Sequence, residues 1–386
     1  MEDLVRLLRG SIKSENCPLS DTFALEKYQP VIKRQKLVPL LYPGAVACGV
    51  STDNPLMQRY FVAYCRHMLQ SEAQMKMLDS LFAAFQQNRI DFLPLKGCVL
   101  KELYPKPEMR AMADADILIR EDRLQDIHRT MTELGFAKES ENHHTVNYRN
   151  DALYVELHKS LVPPDDTDYF AYYGNGWHLA VQAEGCRYVM RSEDTFLFLL
   201  THLARHYRGS GIGCRQIVDL YVYRRAFPNM DENYLAGELE KLHLTQFYAH
   251  VLRLLQVWFE DEKPDPVTRH MTHFVFNGGS WGSSENGELS RAVKTAKKRG
   301  KTDRATLQSY WAAIFPSRSF LQYRYPILNR LPWMTPLIWP VRWIDVLIFR
   351  RKRIQKRLAQ LQIVDKQSTE RYRQELELVG LDFYFE

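Results

Sequence analysis

The sequence predicts an α+β protein, with a small mixed sheet flanked by helices and with helical N-terminal and C-terminal regions. Short apolar runs typical of strands cluster between residues 90 and 160, and apolar residues at helical spacing dominate on both sides. The predicted elements follow the order strand, helix, strand, helix and then several strands, which is typical of a small α+β sheet. With 386 residues, of which 45% are hydrophobic, the chain is long enough to bury a sizeable core.

Residues 1–89 are predicted to form the helical N-terminal region. A short helix starts at Glu2, the segment around Pro43 and Gly44 is predicted to be a loop, and a long helix follows Pro55. Apolar residues of the long helix recur at helical spacing and are assigned to the core; they are Leu78, Leu81, Phe82 and Phe85.

Residues 90–190 are predicted to contain the sheet. Residues 90–95 form the first predicted strand, and a turn at Lys96 and Gly97 opens a short helix. A glycine turn lets the backbone approach a phosphate closely, and the N-terminus of a helix favours anions. Further elements are predicted as an acidic strand that carries Asp114 and Asp116 and continues to Ile119, a helix over 121–134, and strands over 136–138, 145–148 and 153–157. His143 and His144 are assigned to a solvated hairpin, and 160–190 to a loop or short excursion.

Acidic residues recur at a spacing of two in the strand-like segments. Asp114 and Asp116 lead into an apolar run, and Glu156 stands two residues before His158 on a later strand. Because alternate side chains of a strand share a face, each pair projects to one side. Carboxylates brought together in this way repel one another unless a cation lies between them, and such oxygen ligands suit Mg²⁺ or Mn²⁺. The alternative is that acids at the end of a strand are simply solvated.

Together with the turn, these acids form a longer pattern. It consists of the segments Leu95-Lys-Gly97, Arg110-Ala-Met-Ala-Asp-Ala-Asp-Ile-Leu-Ile119 and Val155-Glu-Leu-His158. The pattern resembles the uncharacterised nucleotidyltransferase family of the DNA polymerase β-like superfamily. The resemblance implies a nucleotidyltransferase-type sheet in which Asp114, Asp116 and Glu156 are the catalytic acids and bind the metal. Lys96 and Gly97 stand at the phosphate-binding turn, but Cys98 follows where the superfamily has a serine.

Further residues are candidates for nucleotide binding. Arg110 precedes the acids and is predicted either to clamp phosphate or to pair with a motif acid. His158 shares a face with Glu156 and is predicted to orient a metal-bound carboxylate, to contact the nucleotide, or to be structural. The resemblance implies that a helical domain over 191–276 closes over the nucleotide, and its candidates are His202, His206, Arg215 and Asp219. Pairing between Arg215 and Asp219, which are four residues apart, is the alternative.

Composition and spacing argue against several other classes of protein. The six cysteines have no C-x-x-C spacing, which argues against a zinc site or a disulfide framework and predicts a reducing, cytoplasmic setting. His202 and His206 share a helix face, but no H-E-x-x-H motif of a zinc hydrolase is present. The N-terminus lacks the features of a signal peptide, and no apolar stretch of about 18 residues predicts a membrane-spanning helix.

Residues 285–386 are predicted to form a basic, aromatic-rich helical region. The segment from Arg291 to Arg357 contains 17 Lys or Arg and two Asp. Trp333, Trp339 and Trp343 lie among prolines and arginines, so peripheral contact with a membrane and stacking on a nucleic acid are both open. The third alternative is a packed helix with a solvated basic face.

The sequence therefore predicts a metal-dependent nucleotidyltransferase. It would move a nucleoside monophosphate from an NTP to the hydroxyl group of an unidentified acceptor, and these two molecules are its predicted partners. The alternative is a non-catalytic module that binds a nucleotide or a partner, with the basic tail docking it to membrane or nucleic acid. Cys98 in the turn favours the module, whereas acids at all three motif positions favour the enzyme.

Overall fold

The structure is a computed structural model that describes residues 1–279, 286–290, 327–349 and 366–381 and the single residues 293, 315, 318, 321 and 325. The chain divides into two compact units. The first unit comprises Met1–Arg205 and Ile212–Ser280, and the second comprises His206–Gly211 and Trp281–Tyr384. The finer division at residues 89, 190 and 276 stays a prediction.

A mixed sheet, seven-stranded over the described part of the chain, lies in the first unit. Its strands are β1 (Phe92–Pro94), β2 (Ala115–Ile119), β3 (Ala137–Glu141), β4 (Thr145–Arg149), β5 (Tyr154–His158), β6 (Ala180–Glu184) and β7 (Arg187–Met190). Their order across the sheet is β3-β4-β5-β2-β1-β7-β6. β2 pairs in parallel with β5 and antiparallel with β1, so the acidic strand is central. The predicted α+β class is confirmed.

Helices precede, connect and follow these strands. Those up to residue 277 are α1 (Glu2–Lys13), α2 (Leu25–Gln35), α3 (Val38–Ala47), α4 (Pro55–Gln87), α5 (Gly97–Leu100), α6 (Leu124–Glu133), α7 (Thr167–Tyr173), α8 (Ser192–Arg208), α9 (Cys214–Ala226), α10 (Glu232–Lys241), α11 (Thr245–Phe259) and α12 (Pro266–Asn277). The second unit contains α13 (Ile327–Arg330), α14 (Thr335–Phe349) and α15 (Lys366–Leu378). Asn54 caps α4 by accepting hydrogen bonds from the next turn, which explains why this helix starts at Pro55.

The core beside the sheet lies on one face, against α4 and α6. Ala115, Ile117 and Ile119 point into it from β2, together with apolar residues of β4 and β5. The predicted stripe of α4 packs against them, with Phe82 partly buried and stacked on Phe92. Burial of each large apolar side chain stabilises the fold by about 1.5–3 kcal/mol. Because strand residues alternate, this packing leaves Asp116 on the opposite face.

Two predictions about secondary structure are wrong. Pro43 and Gly44 lie in α3 rather than in a loop, because α3 packs directly on α1 and a Cβ at Gly44 would collide with the backbone of Leu7. Residues 160–190 contain α7 and the hairpin of β6 and β7, and β7 pairs in parallel with β1. β6 is largely exposed, so it lacks the apolar alternation that would reveal it in the sequence.

Most of the predicted basic tail lies outside the described residues. Of its described aromatic residues, Trp339 packs against a small buried cluster, and Phe315 contacts both Trp339 and Trp343 edge-on. Trp333 is 67% exposed. Within the described ranges, none of the helices combines the length and apolarity needed to span a bilayer. Contact of the tail with membrane or nucleic acid stays a prediction.

Candidate active site

The parallel pairing of β2 with β5 brings two motif acids side by side. Asp116 lies in register with Glu156, and residues in register on neighbouring strands project from the same face. His158 lies two residues further along β5 on that face. Asp116, Glu156 and His158, which we call the ligand cluster, each offer a metal-ligand atom within 4.8 Å of the others. The fold thus assembles three ligand side chains from two adjacent strands.

Two groups of the protein itself compensate the negative charge of Asp116. It is 4% exposed, and its Oδ1 lies 3.0 Å from Lys96 Nζ and 2.7 Å from His158 Nε2. Burial opposes ionisation of Asp116, but the charge of Lys96 and the hydrogen bond from His158 outweigh burial and lower its pKa. Asp116 is therefore a carboxylate at neutral pH.

The other two motif acids have the opposite electrostatic environment. Burial, followed by repulsion from Asp116, raises the pKa of Asp114. Burial and repulsion from Asp116 and Asp114 likewise raise the pKa of Glu156. Asp114 precedes β2 and, among the described residues, stands outside the ligand cluster, where His158 takes the third position. This set of oxygen donors fits a divalent cation, because a cation would relieve the repulsion that raises both pKa values.

The turn at Lys96 and Gly97 joins β1 to α5 in an unusual backbone conformation. Lys96 has φ 44° and ψ −112°, a combination that is normally adopted by glycine and costs about 1–3 kcal/mol for other residues. Gly97 lies against the segment that leads into β2: a Cβ there would come within 2.7 Å of Nη1 of Arg110 and 3.0 Å of Cγ of Met112. Close packing therefore explains the glycine, and contact of the turn with phosphate stays a prediction.

Cys98, which stands where the superfamily has a serine, belongs to the core beside the sheet. It is 4% exposed, and burial raises the pKa of its thiol to about 12. The thiol is therefore protonated and buried at neutral pH, unlike a hydroxyl group presented to a phosphate.

Arg110 and Asp219 form a buried ion pair with two hydrogen bonds. Nε and Nη2 of Arg110 lie 2.8 and 2.9 Å from Oδ1 and Oδ2 of Asp219, and the hydroxyl of Tyr104 donates to Oδ1 over 2.7 Å. Arg110 thus pairs with an acid of α9 rather than with a motif acid. Arg215, also on α9, donates from Nη1 to the carbonyl oxygen of Ala111 over 2.7 Å. These contacts hold α9 to the segment before β2, and nucleotide binding by the three residues stays a prediction.

The two histidines of α8 fall into different units. His202 belongs to the first unit, and its ring lies 6.5 Å from the ring of Phe198. His206 belongs to the second unit. Among the described residues, neither is a member of the ligand cluster.

His144 is a neighbour of the ligand cluster that the sequence did not reveal. Rather than being solvated, its ring is partly buried, with Nε2 3.3 Å from Nδ1 of His158 and Nδ1 3.0 Å from Oγ of Ser160. Burial, followed by the charge of His158, lowers the pKa of His144 to about 3, so the ring is neutral. Ser160 donates its own proton to the carbonyl oxygen of Val162, and it therefore accepts from Nδ1 of His144.

This assignment leaves Nε2 of His144 as an acceptor. Both ring nitrogens of His158 therefore face acceptors, the imidazole of His144 and the carboxylate of Asp116. The signal in the sequence was weak, because it depends on the register in which Thr145 lies opposite His158.

Comparisons with known proteins identify the family of the chain. A family model described as "uncharacterised nucleotidyltransferase" matches residues 21–260, which include the turn, the ligand cluster and the pair of Arg110 and Asp219. The solved structure of the antibiotic-resistance factor ANT(2'')-Ia is similar to 47% of this chain, over 98% of its own, with a TM-score of 0.35 and 10% identity. No curated protein matches the chain significantly. Since the family model covers more than half of the sequence, the chain belongs to the family of uncharacterised nucleotidyltransferases.

Proposed function

We propose that the protein is a metal-dependent nucleotidyltransferase that moves a nucleoside monophosphate from an NTP to the hydroxyl group of an acceptor. The observation that carries the proposal is the placement of Asp116 in register with Glu156, with His158 beside both. Membership of the nucleotidyltransferase family supports the class of reaction.

In this proposal Asp116 and Glu156, with Asp114 beside them, hold Mg²⁺ or Mn²⁺. Such an ion, when bound, neutralises the charge of the triphosphate and polarises the phosphoryl group that is attacked. The fit rests on the raised pKa values of Asp114 and Glu156, which burial causes first and repulsion among the acids second.

Lys96 is the residue that we assign to the triphosphate. Its ammonium group already lies at Oδ1 of Asp116, where it compensates a carboxylate. If Asp116 held a cation, this carboxylate would no longer need the ammonium group of Lys96, which would then be available to pair with phosphate oxygens. The turn that carries Lys96 and Gly97 then provides the backbone beside the phosphates.

Glu156 is assigned to the acceptor. Its pKa is raised, which suits a group that takes up a proton during the reaction. As the hydroxyl oxygen of the acceptor bonds to the α-phosphorus, its proton passes to the carboxylate of Glu156. The bond from the α-phosphorus to the bridging oxygen breaks at the same time, and pyrophosphate leaves.

A non-catalytic nucleotide-binding module is the second candidate. Cys98 favours it, because the burial of this thiol leaves the turn without the hydroxyl group that the superfamily presents to phosphate. The two candidates agree on nucleotide binding and differ on turnover.

Thermal melting with each NTP, with and without Mg²⁺, tests both. A ligand that binds the folded state stabilises it by about 2.7 kcal/mol at a hundredfold excess over its dissociation constant. We expect a Mg²⁺-dependent rise in melting temperature for at least one NTP. The rise should be lost in the double variant Asp114→Asn, Asp116→Asn and kept in the control Asp122→Asn, which changes an exposed acid.

Release of pyrophosphate in the presence of pooled hydroxyl acceptors then separates the candidates. Turnover that requires both motif acids supports the enzyme. A Mg²⁺-dependent shift with no turnover supports the module, and no shift with any NTP contradicts nucleotide binding in both.

A further inference from the structure

Three consecutive carbonyl groups of the segment that leads into β2 are each held by a side chain from a different element. The donors come from α4, from the short 3₁₀ turn after α5, and from α9. The hydrogen bonds run from Gln74 Nε2 to the carbonyl oxygen of Met112 (3.1 Å), from Lys101 Nζ to that of Arg110 (3.0 Å) and from Arg215 Nη1 to that of Ala111 (2.7 Å). We call these three donors the carbonyl clamp.

Two donors of the carbonyl clamp are costly residues to bury. Lys101 is fully buried, and burial, together with the charge of Arg110, lowers the pKa of Lys101 to about 8. Gln74 is 4% exposed, and its buried Oε1 has no hydrogen-bond partner among the residues that the structure describes. An apolar side chain at either position would avoid these costs, but it would leave a carbonyl oxygen of the segment without its donor. The polar groups are therefore kept where they hold the backbone of this segment.

The segment 110–112 is fixed by its side chains as well. Arg110 is bound to Asp219 on α9. Gly97 can lie against Arg110 and Met112 only because it has no side chain. A shift of this backbone would therefore break several contacts at once. The backbone of the residues that follow, 113 and 114, is held in place by the same contacts.

Of the motif acids on β2 and just before it, Asp114 is the one whose position depends on the carbonyl clamp. Asp116 lies within β2 and is fixed by the hydrogen bonds of the sheet to β1 and β5. Asp114 precedes the strand, only two residues after the last clamped carbonyl. The sheet ladder does not reach it, so the carbonyl clamp determines where its carboxylate enters the site.

We propose that Gln74, Lys101 and Arg215 are positioning residues of the site, which act on the metal-binding acids through the backbone of residues 110–112. The inference rests on the proposed function. It concerns a role that requires no contact with the metal or the nucleotide, and it explains why these polar groups are kept in the core.

Gln74 offers the sharpest test, because its contribution to the clamp is a single donor. Gln74→Met removes the donor and the unpartnered oxygen while keeping an unbranched side chain of similar size. We expect its melting temperature to stay close to that of the wild type, because removal of the unpartnered oxygen offsets the loss of the donor to Met112. Mn²⁺ alone, measured by calorimetry, should bind about tenfold more weakly. Amide hydrogens of residues 110–116 should exchange at least fivefold faster. A merely structural residue would lose stability and Mn²⁺ affinity together.

Gln74→Glu adds a pH-dependent readout. Because position 74 is buried, the pKa of a carboxyl group there is raised, and the protonated group persists in mild acid. The protonated group donates to the carbonyl oxygen of Met112, whereas the ionised one repels it. We therefore expect the ratio of its Mn²⁺ dissociation constant to that of the wild type to be near one at pH 5.5 and above ten at pH 8.0. The matched control Gln70→Glu places the same change on an exposed position of α4, where the ratio should stay near one at both values.

Failure of this inference is distinguishable from failure of the proposed function. If the wild type binds no Mn²⁺, the proposed metal site is wrong, and faster exchange of 110–116 in Gln74→Met still supports the hold on the segment. Unchanged exchange together with unchanged Mn²⁺ affinity in that variant overturns the positioning role.

Discussion

His158 donates a hydrogen bond from Nε2 to Oδ1 of Asp116 over 2.7 Å, and Lys96 approaches the same oxygen over 3.0 Å. Two donors thus share one buried carboxylate oxygen, and the protein itself compensates the charge of Asp116. Asp114 and Glu156 do not receive the same compensation, since their pKa values are raised. The charge of Asp116 is therefore compensated, whereas the charges of Asp114 and Glu156 are not. A bound cation would stabilise the site most at these two acids.

Glu156→Gln separates catalysis from stability. The pKa of Glu156 is raised in the folded protein, so between its unfolded and folded pKa values the folded state binds more protons. Ionisation of this carboxyl group therefore lowers the free energy of unfolding of the wild type as pH rises through that window. Glu156→Gln lacks this loss, so its stability relative to the wild type should be greater at pH 8 than at pH 4. Turnover should fall by about 10²-fold or more, because a general base is lost. Urea unfolding and pyrophosphate release measure the two effects.

The control for this prediction is Glu133→Gln, which makes the same change on an exposed position of α6. It should alter neither the pH dependence of the free energy of unfolding nor the rate of pyrophosphate release. A Glu156→Gln variant that retains full turnover contradicts the role of Glu156 as the base.

Lys96 combines a strained backbone with a needed charge, and two substitutions separate them. Lys96→Gly removes the charge and relieves the conformation at φ 44° and ψ −112°, whereas Lys96→Ala removes the charge and keeps the strain. We expect the alanine variant to have a free energy of unfolding about 1 kcal/mol lower than the glycine variant. Both should lose turnover to the same degree, because both leave Asp116 and the triphosphate without the ammonium group. Equal stability of the two variants would disprove the strained turn.

Gly97→Ala tests the close approach of the turn to the segment before β2. The added Cβ would lie 2.7 Å from Nη1 of Arg110 and 3.0 Å from Cγ of Met112, so one of them has to move. We expect the free energy of unfolding to fall by about 1–3 kcal/mol, as for other overpacked sites. Urea unfolding provides the measurement.

The matched control is Gly237→Ala in α10, where an added Cβ meets nothing within 4 Å. Alanine favours a helix over glycine by about 0.5–1 kcal/mol, so this variant should be more stable than the wild type. A loss of stability at Gly237 equal to that at Gly97 would show that packing is not the cause.

The sequence predicted those parts of the site that follow from local spacing. The spacing placed Asp116 and Glu156 on two strand-like segments, and the resemblance to the nucleotidyltransferase family implied that they meet; the pairing of β2 with β5 brings them into register. Partners that meet only through the tertiary fold were not predicted. Asp219 lies 109 residues from Arg110, and no local pattern relates them.

The same limit applies to His144 and to the hairpin of β6 and β7. The contact of His144 with His158 requires the register between β4 and β5, which spacing alone does not define. The exposed residues of β6 carry no apolar signal, because this hairpin lies at the edge of the sheet.

Lys101 gives the protein a dependence on pH that a single substitution removes. Burial lowers the pKa of Lys101 from 10.5 to about 8, so between these values the unfolded chain binds more protons than the folded protein. Its contribution to the free energy of unfolding therefore rises with pH in this window, by about 2 kcal/mol between pH 8 and pH 10. We expect Lys101→Met to lose this rise, so that the stability of the wild type relative to the variant increases as pH is raised. Urea unfolding at pH 7.5, 8.5 and 9.5 measures the difference, and Lys106→Met, at an exposed position, should run parallel to the wild type. If the stability of Lys101→Met also changes with pH in parallel with that of the wild type, the ammonium group has the same pKa in the folded and unfolded chains. Burial of Lys101 in the carbonyl clamp would then carry no electrostatic cost.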